Sequence, residues 1–126
     1  MARILILAGV TLGTLLASSA AFAAGDPARG ATAFRTECGS CHTATQGGPA
    51  RTGPNLFGVF GSPAGSRGTF RYSPAMQRSG LTWDEATLTR YLVAPRRVVP
   101  GGTMSYAGTG DAAEAANIAA YLATQR

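Results

Sequence analysis

The sequence has few side chains that bind metals or carry redox chemistry: its 126 residues include one histidine, two cysteines and no lysine. A structural zinc site needs four ligands, usually Cys and His, so carboxylates would have to complete one here. The single histidine also means that a metal bound by it cannot gain a second imidazole. No stretch alternates apolar and polar residues as a half-buried β-strand does. The lack of such alternating stretches predicts an all-α protein.

Large apolar side chains are scarce as well, because alanine and glycine supply most of the apolar material. The length allows one domain, and about a hundred residues can build only a thin core. The sequence therefore predicts that something other than its own side chains fills part of the interior.

Residues 1–24 have the pattern of an export signal. Arg3 gives a positive start, residues 4–17 are an apolar run, and Ala21-Phe22-Ala23 is a small-x-small cleavage site. We expect a cleaved signal at 1–24 and a folded domain at 25–126, exported to the periplasm. The alternative is an N-terminal membrane anchor, because residues 4–24 carry no charge and are long enough to span a bilayer.

Capping signals predict four short helices. They begin at Asp26-Pro27, at Ser73-Pro74, at the capping box 82–85 and at Asp111. The first three are expected to end at Glu37, Gly80 and Ala94. The predicted inward-facing residues are Ala31, Phe34, Leu88, Tyr91, Leu92, Ile118, Tyr121 and Leu122.

Two long segments show neither helical nor strand periodicity. Residues 43–72 contain seven glycines and three prolines, and a second such segment covers residues 95–110. A compact domain rarely contains so long a structureless loop unless the loop has a function. Together with the thin core, these loops predict a chain wrapped around a large apolar group.

Cys38, Cys41 and His42 form a Cys-x-x-Cys-His motif. In this motif both thiols can bond to a haem and the histidine can bind its iron. A redox dithiol is the alternative, but it is expected beside a strand-helix-strand pattern that this sequence lacks. The motif therefore favours one covalently attached haem c.

The second axial position cannot be filled by histidine, and Met1 is removed with the expected signal. Met76 lies in a predicted short helix, where methionine is commonly core filler. Met104 lies in the second loop, 62 residues after His42, from where the chain can fold back over a haem. The sequence favours Met104, with an open position as the alternative.

From Gly25 to Arg126 the chain resembles the class I c-type cytochromes, the family of mitochondrial cytochrome c and its small bacterial relatives. The resemblance is carried in order by "CGSCHT", "GPNLFGVFG", "LTWDEATLTRYL" and "VPGGTM". It implies an all-α cytochrome c fold, with about four short helices and long Gly/Pro-rich loops around one covalently bound haem. It also implies a one-electron carrier and not an enzyme. A haem sensor or peroxidase-like protein with an open distal site is the alternative function.

The resemblance implies roles for the motif residues. Cys38 and Cys41 would form the thioether bonds, His42 would bind the iron on one side, and Met104 would bind it on the other. The carbonyl of Pro54 would accept a hydrogen bond from the second ring nitrogen of His42, which fixes a ligating imidazole.

Further residues are implied to surround the haem or to hold the helices together. Tyr72 and Trp83 match buried donors to a haem carboxylate, and Tyr91 matches a tyrosine packed against the methionine sulfur. The residues that match the crossing of the terminal helices are Gly30, Phe34 and Tyr121, where the missing side chain of Gly30 allows close approach.

Three positions depart from the mitochondrial pattern. Gly102 stands in place of a hydroxyl residue, Ser62 in place of an arginine near a haem carboxylate, and Met76 in place of an asparagine beside the haem. Each change removes or alters a polar contact around the haem. The reduction potential of this chain therefore does not follow from the resemblance.

Arginine carries all the basic charge, with ten arginines against six acidic residues in 25–126, a formal excess of four. Arg51, Arg96 and Arg97 lie in stretches that flank the haem edge in the family. The implied partners of this monomer are redox proteins with acidic docking surfaces: a cytochrome bc complex, an oxidase, a reaction centre, or a periplasmic dehydrogenase or reductase. A solvated surface without a partner is the alternative, and no motif indicates nucleic acid binding.

Overall fold

The computed structural model describes residues 24–126, so the predicted signal lies outside the described residues except for Ala24. The helices are α1 (Pro27–Glu37), α2 (Pro74–Gln77), α3 (Glu85–Val93), α4 (Pro95–Val98) and α5 (Ala112–Thr124). Residues 24–126 contain no strand, only an isolated bridge between Pro63 and Thr82. The all-α prediction is confirmed. Within this range, no helix has the length and apolar character needed to cross a bilayer.

Helix α1 begins where its capping signal predicts. One carboxylate oxygen of Asp26 accepts hydrogen bonds from the backbone N–H groups of Ala28 and Arg29, which have no partner within the helix. The helix ends at Glu37, as predicted, and the N–H of the next residue, Cys38, donates to the Phe34 carbonyl. Phe34 is buried as expected, whereas Ala31 is only half-buried.

The start of α3 corrects the predicted capping box. The cap is Asp84, whose carboxylate accepts from the Thr87 N–H at 2.8 Å, and not Thr82. The two residues before it are held extended, because Trp83 exchanges backbone hydrogen bonds with Ser62 and Gly61. The predicted inner face is confirmed, since Leu88, Tyr91 and Leu92 are all buried.

Helix α5 is capped by Asp111, which accepts from the N–H groups of Ala113 and Glu114. Ile118 and Leu122 are buried, as predicted. Tyr121 is half-buried, and its ring packs against a residue of α1.

Two helix boundaries differ from the sequence prediction. Helix α2 ends at Gln77, three residues before the predicted Gly80, which instead forms a left-handed turn with φ of 67°. The loop predicted to begin at Pro95 begins with the single turn α4. Proline ends α3 because it cannot donate a backbone hydrogen bond, but its fixed φ also suits the first position of a new helix.

The long loop 43–72 is held in place by backbone hydrogen bonds to distant segments. Gly58 donates to the carbonyl of Gln125, Gly61 to Trp83, and Ala64 to Leu81, at 2.7–2.8 Å. Both Gly58 and Gly61 have a positive φ, which glycine adopts at little cost. The loop is therefore an ordered part of the fold, although it lacks periodic structure.

The terminal helices α1 and α5 cross in close contact at Gly30. A Cβ atom added at Gly30 would collide with the carbonyl of Asn117 and would lie 2.9 Å from the Cβ atom of Tyr121. Beside this point the rings of Phe34 and Tyr121 pack with centroids 5.3 Å apart. The crossing predicted for these residues is present, and it brings the Cys-x-x-Cys-His segment at the end of α1 close to α5.

Replacing Gly30 by alanine is expected to destabilise the protein. At an exposed helical site this change stabilises by about 0.5–1 kcal/mol. At Gly30 the new methyl group would instead collide with the Asn117 carbonyl, which can move only if α5 moves with it. We expect a loss of about 1–3 kcal/mol in the free energy of unfolding, measured by denaturant titration of the haem-containing protein. Thr32→Ala, at an exposed site on the same helix, is the control. A Gly30→Ala variant as stable as the control would contradict the close crossing.

Candidate functional site

A deep cleft lies between α1, α3, α5 and the two long loops. Its apolar lining comes from every part of the described chain: Phe34, Leu56, Val59, Phe70, Met76, Leu88, Leu92, Ile118 and Leu122. These side chains lie far apart in the sequence and face one shared space. The cleft suits a large apolar group, as the thin core predicted.

One wall of the cleft is formed by the Cys-x-x-Cys-His segment. Cys38 is buried, Cys41 is half-buried, and the two thiols are not joined in a disulfide. The backbone N–H groups of Cys41 and His42 both donate to the Cys38 carbonyl, at 3.0 and 2.9 Å. This tight turn brings both thiols and the imidazole to the same cleft.

The environment of Cys38 is unlike that of a reactive dithiol. Burial, with a smaller contribution from the neighbouring carboxylate of Glu37, raises the pKa of the Cys38 thiol to about 11. Reactive cysteines have a lowered pKa, because the thiolate is the attacking form. The raised pKa of Cys38 therefore does not favour a thiol–disulfide switch.

The ring of His42 is oriented by the loop that follows it. Its Nδ1 atom lies 2.8 Å from the carbonyl oxygen of Pro54, the contact implied by the resemblance. Burial lowers the pKa of His42, and the hydrogen bond to Pro54 opposes this shift less strongly. The neutral ring with Nδ1–H donating to a carbonyl leaves Nε2 free to bind a metal.

Gly53 contacts the same ring, and sequence reasoning missed it. A Cβ atom on Gly53 would overlap the His42 imidazole, and its distance to Nδ1 would be only 2.7 Å. The Gly53 N–H also donates to the Cys41 carbonyl at 2.9 Å. The missing side chain makes room for the ring, but nothing in the local sequence indicates that these residues meet.

The cleft lining also contains Met104, which comes from the loop between α4 and α5. The hydroxyl of Tyr91 lies 4.0 Å from its sulfur atom, as the resemblance implied. Tyr91 in turn packs against Trp83, with ring centroids 4.8 Å apart. Burial raises the pKa of Tyr91 to about 12, so this hydroxyl keeps its proton and can donate to sulfur.

Met76, in α2, also lines the cleft. The cleft lining therefore includes both methionines of the described chain, and position alone does not distinguish them. The hydroxyl of Tyr91 lies 4.0 Å from the sulfur of Met104, so this sulfur has a polar neighbour. This contact favours Met104 as the ligand.

Some of the remaining residues singled out from the sequence line the cleft, and others do not. Tyr72 and Trp83 both line the cleft, and the Tyr72 hydroxyl donates to the backbone carbonyl of Arg67 at 3.3 Å. Ser62 and Gly102 are not part of the lining. The Ser62 hydroxyl donates to the Val59 carbonyl at 2.7 Å.

The arginines predicted to meet partners differ in their contacts. Arg51 donates from its guanidinium to the Gly39 carbonyl at 2.8 Å, so it also fastens the loop to the end of α1. Arg96 and Arg97 lie exposed in α4.

The polar lining of the cleft includes one formally charged residue, Glu37. Near it lies the hydroxyl of Tyr106, which is buried and has no hydrogen-bond partner within residues 24–126. Burial, and next the charge of Glu37, raise the pKa of Tyr106. Sequence reasoning missed both residues, because their proximity depends on how the second loop folds back.

The donor set of this cleft fits a haem c. Its lining includes two free thiols, an imidazole and the thioether of Met104, and most of the remaining surface is apolar. Within residues 24–126, no three His, Cys, Asp or Glu side chains cluster as they would to hold a metal ion alone.

Comparisons with known proteins agree with this geometry. Residues 27–126 match the family described as Cytochrome c. Cytochrome c2 of Rhodomicrobium vannielii is 47% identical over 111 residues, 88% of this chain and 88% of that protein. Cytochrome c of Chlamydomonas reinhardtii is 44% identical over 99 residues, 79% of this chain and 88% of that protein. The solved structure of cytochrome cH from Methylobacterium extorquens matches with a TM-score of 0.74 and 40% identity, covering 79% of this chain and 99% of that one.

Replacing Gly53 by alanine is expected to displace the His42 ring. The added methyl group overlaps the imidazole, so we expect less haem-containing protein and a loss of stability of about 1–3 kcal/mol. Absorbance per mole of purified protein and denaturant titration measure the two effects. Gly47→Ala is the control for haem content, because no atom lies within 4 Å of a Cβ there; its positive φ adds strain of its own, so the comparison is made on haem content and not on stability. Equal haem content in the two variants would contradict a specific contact with His42.

Proposed function

The chain belongs to the cytochrome c family, as a class I c-type cytochrome with one covalently bound haem c, and from this premise we propose that it is a one-electron carrier and not an enzyme. The cytochrome c fold expected from the sequence is confirmed by the solved relative. When bound, the haem supplies one-electron chemistry through its iron.

The observation that carries the proposal is a single apolar cleft whose lining includes His42 and Met104, which could both bind a haem iron. The His42 ring is oriented by its hydrogen bond to the Pro54 carbonyl, and the Met104 sulfur contacts the Tyr91 hydroxyl. If both side chains bound the iron, no position would remain for a substrate. The apolar lining of the cleft would keep water away from the iron. Less solvent would then have to reorient when the charge of the iron changes by one.

The choice of methionine suits a carrier that accepts electrons readily. A thioether sulfur is a softer ligand than imidazole and raises the reduction potential relative to a second histidine. Cys38 and Cys41 would hold the group covalently, so it cannot be lost between encounters with partners.

The proposal includes the extent and the location of the mature protein. We propose that residues 1–24 are a cleaved signal and that residues 25–126 are the mature protein in the periplasm. The sequence pattern of the first 24 residues supports export. Retention of that segment as a membrane anchor would confine the same domain to the membrane surface.

Charge suggests the kind of partner. Arg96 and Arg97 are exposed on α4, the helix that precedes the Met104 loop, and the domain carries a formal excess of four positive charges. An acidic surface on a redox protein would be attracted to this side, which speeds encounter and makes its rate depend on salt.

Replacing Met104 by alanine tests the proposal. We expect the ferric protein to lose the weak red absorption band that methionine ligation gives haem, and the reduction potential to fall by on the order of 0.1 V, within the range of about 0.8 V that axial ligands control. Met76→Ala is the matched control and is expected to keep the band. Visible spectroscopy and voltammetry make the measurements.

Carbon monoxide binding separates the carrier from the other function. The ferrous wild type is expected to bind carbon monoxide slowly, because Met104 must first leave, and Met104→Ala is expected to bind it rapidly. Rapid binding by the wild type at neutral pH would show an accessible position and would favour a haem sensor or peroxidase-like protein.

A further inference from the structure

The segment that carries Met104 is fastened by few contacts. Within residues 24–126, no backbone–backbone hydrogen bond involves residues 103–108. The sulfur of Met104 lies 4.0 Å from the Tyr91 hydroxyl, and a thioether sulfur is a weak acceptor. Further side-chain contacts must therefore hold this segment against the cleft.

Tyr106 belongs to this segment, two residues after Met104, and it lines the cleft. Its hydroxyl is the one buried side-chain nitrogen or oxygen atom in residues 24–126 that has no hydrogen-bond partner. A buried donor without an acceptor is costly, and most such groups in folded proteins are paired. The Tyr106 hydroxyl therefore needs an acceptor that a small movement can supply.

The carboxylate of Glu37 is an acceptor beside this hydroxyl. Glu37 is the last residue of α1 and lines the same cleft. Burial raises the pKa of Tyr106 most, and the charge of Glu37 comes next, ahead of Cys38 and of Glu114 on α5. The hydroxyl therefore keeps its proton, and it lies close to a group that only accepts hydrogen bonds when it is ionised.

Glu37 can turn toward that hydroxyl. Its side chain is exposed, and no arginine holds it, because the one ion pair in residues 24–126 joins Arg29 and Asp26. Rotation about the side-chain bonds of Glu37 can bring a carboxylate oxygen to the hydroxyl while the backbone of α1 stays in place.

We propose that the Tyr106 hydroxyl donates a hydrogen bond to the Glu37 carboxylate and so holds the Met104 segment, residues 103–108, closed over the cleft. Tyr106 is then a positioning residue for Met104, with Glu37 as its acceptor. The contact fastens the segment that supplies Met104 to the helix end that precedes Cys38. This inference rests on the haem-containing carrier proposed above.

Competition with added imidazole tests this contact in the ferric, haem-containing protein. Imidazole can bind the iron only where Met104 has left it, so loss of the weak red band measures the imidazole affinity. Tyr106→Phe removes the hydroxyl and keeps the ring. We expect imidazole to bind it on the order of tenfold more tightly, the change expected for one hydrogen bond to a charged group. Tyr121→Phe is the control and is expected to match the wild type, because Tyr121 is half-buried outside the cleft lining.

The direction of the change shows whether the hydroxyl has an acceptor. Without one, Tyr106→Phe removes an unsatisfied donor, the closed segment gains stability, and imidazole binds no more tightly than in the wild type. That result would overturn the inference. Denaturant titration is run in parallel. A lower free energy of unfolding in Tyr106→Phe with an unchanged imidazole affinity would show a merely structural role and would also overturn it.

Replacing the carboxylates identifies the acceptor. Glu37→Ala is expected to raise the imidazole affinity as Tyr106→Phe does. The double variant is expected to go no further, because the two changes remove the same contact. Glu114→Ala makes the same change in net charge and is expected to match the wild type. A rise in affinity with Glu114→Ala and none with Glu37→Ala would overturn the assignment of the acceptor.

The outcomes also separate this inference from the carrier proposal. A ferric wild type without the red band contradicts Met104 as a ligand and the proposed carrier with it. A wild type with the band, whose imidazole affinity Tyr106→Phe does not raise, overturns the contact alone. If Tyr106→Phe does not fold with haem, Glu37→Ala decides the matter, because Glu37 is exposed. Tighter imidazole binding by Glu37→Ala than by Glu114→Ala then supports the contact, and equal binding overturns it.

Discussion

The burial of one large apolar group determines how the rest of this chain is arranged. Residues on α1, α3, α5 and both long loops line a common cleft, most of them with large apolar or aromatic side chains. A haem in this cleft would cover that apolar surface and add hydrophobic stabilisation, at about 25 cal/mol for each Å² removed from water. The long loops are ordered because they have something to pack against.

The turn at the end of α1 connects this burial to the chemistry. Hydrogen bonds to the Cys38 carbonyl set the turn, the Gly53 N–H binds the Cys41 carbonyl, and the Pro54 carbonyl binds the His42 ring. Covalent attachment and iron binding therefore use the same short segment. The crossing at Gly30 fixes the Cys-x-x-Cys-His segment against α5. A change in the packing of α1 on α5 would therefore also move His42.

Some of the site could be predicted from sequence because its chemistry dictates its spacing. The thiols and imidazole must lie close together along the chain to reach one haem, and a lone histidine directs attention to methionine for the second ligand. Capping rules likewise predicted α1 and α5, since a cap is a local interaction. At α3 the predicted capping box was wrong, because the backbone hydrogen bonds of Trp83 keep the chain extended and the helix begins after Asp84.

Other features depend on how distant segments meet and leave no local pattern. Gly53 contacts His42, Tyr106 approaches Glu37, and Arg67 reaches the Phe57 carbonyl only through the path of the loops. The single turn α4 was missed because proline both ended one helix and began the next. Periodicity cannot reveal contacts of this kind.

The most direct test of this account compares the haem-containing protein with a Cys38→Ala/Cys41→Ala double variant that cannot attach haem. Circular dichroism is followed in the near and far ultraviolet during thermal unfolding. If the haem completes the core, the double variant is expected to lose its near-ultraviolet signal and its cooperative transition, while the haem-containing protein keeps both. A double variant that unfolds in one sharp transition, with its aromatic signal intact, would contradict the claim that the fold depends on the haem.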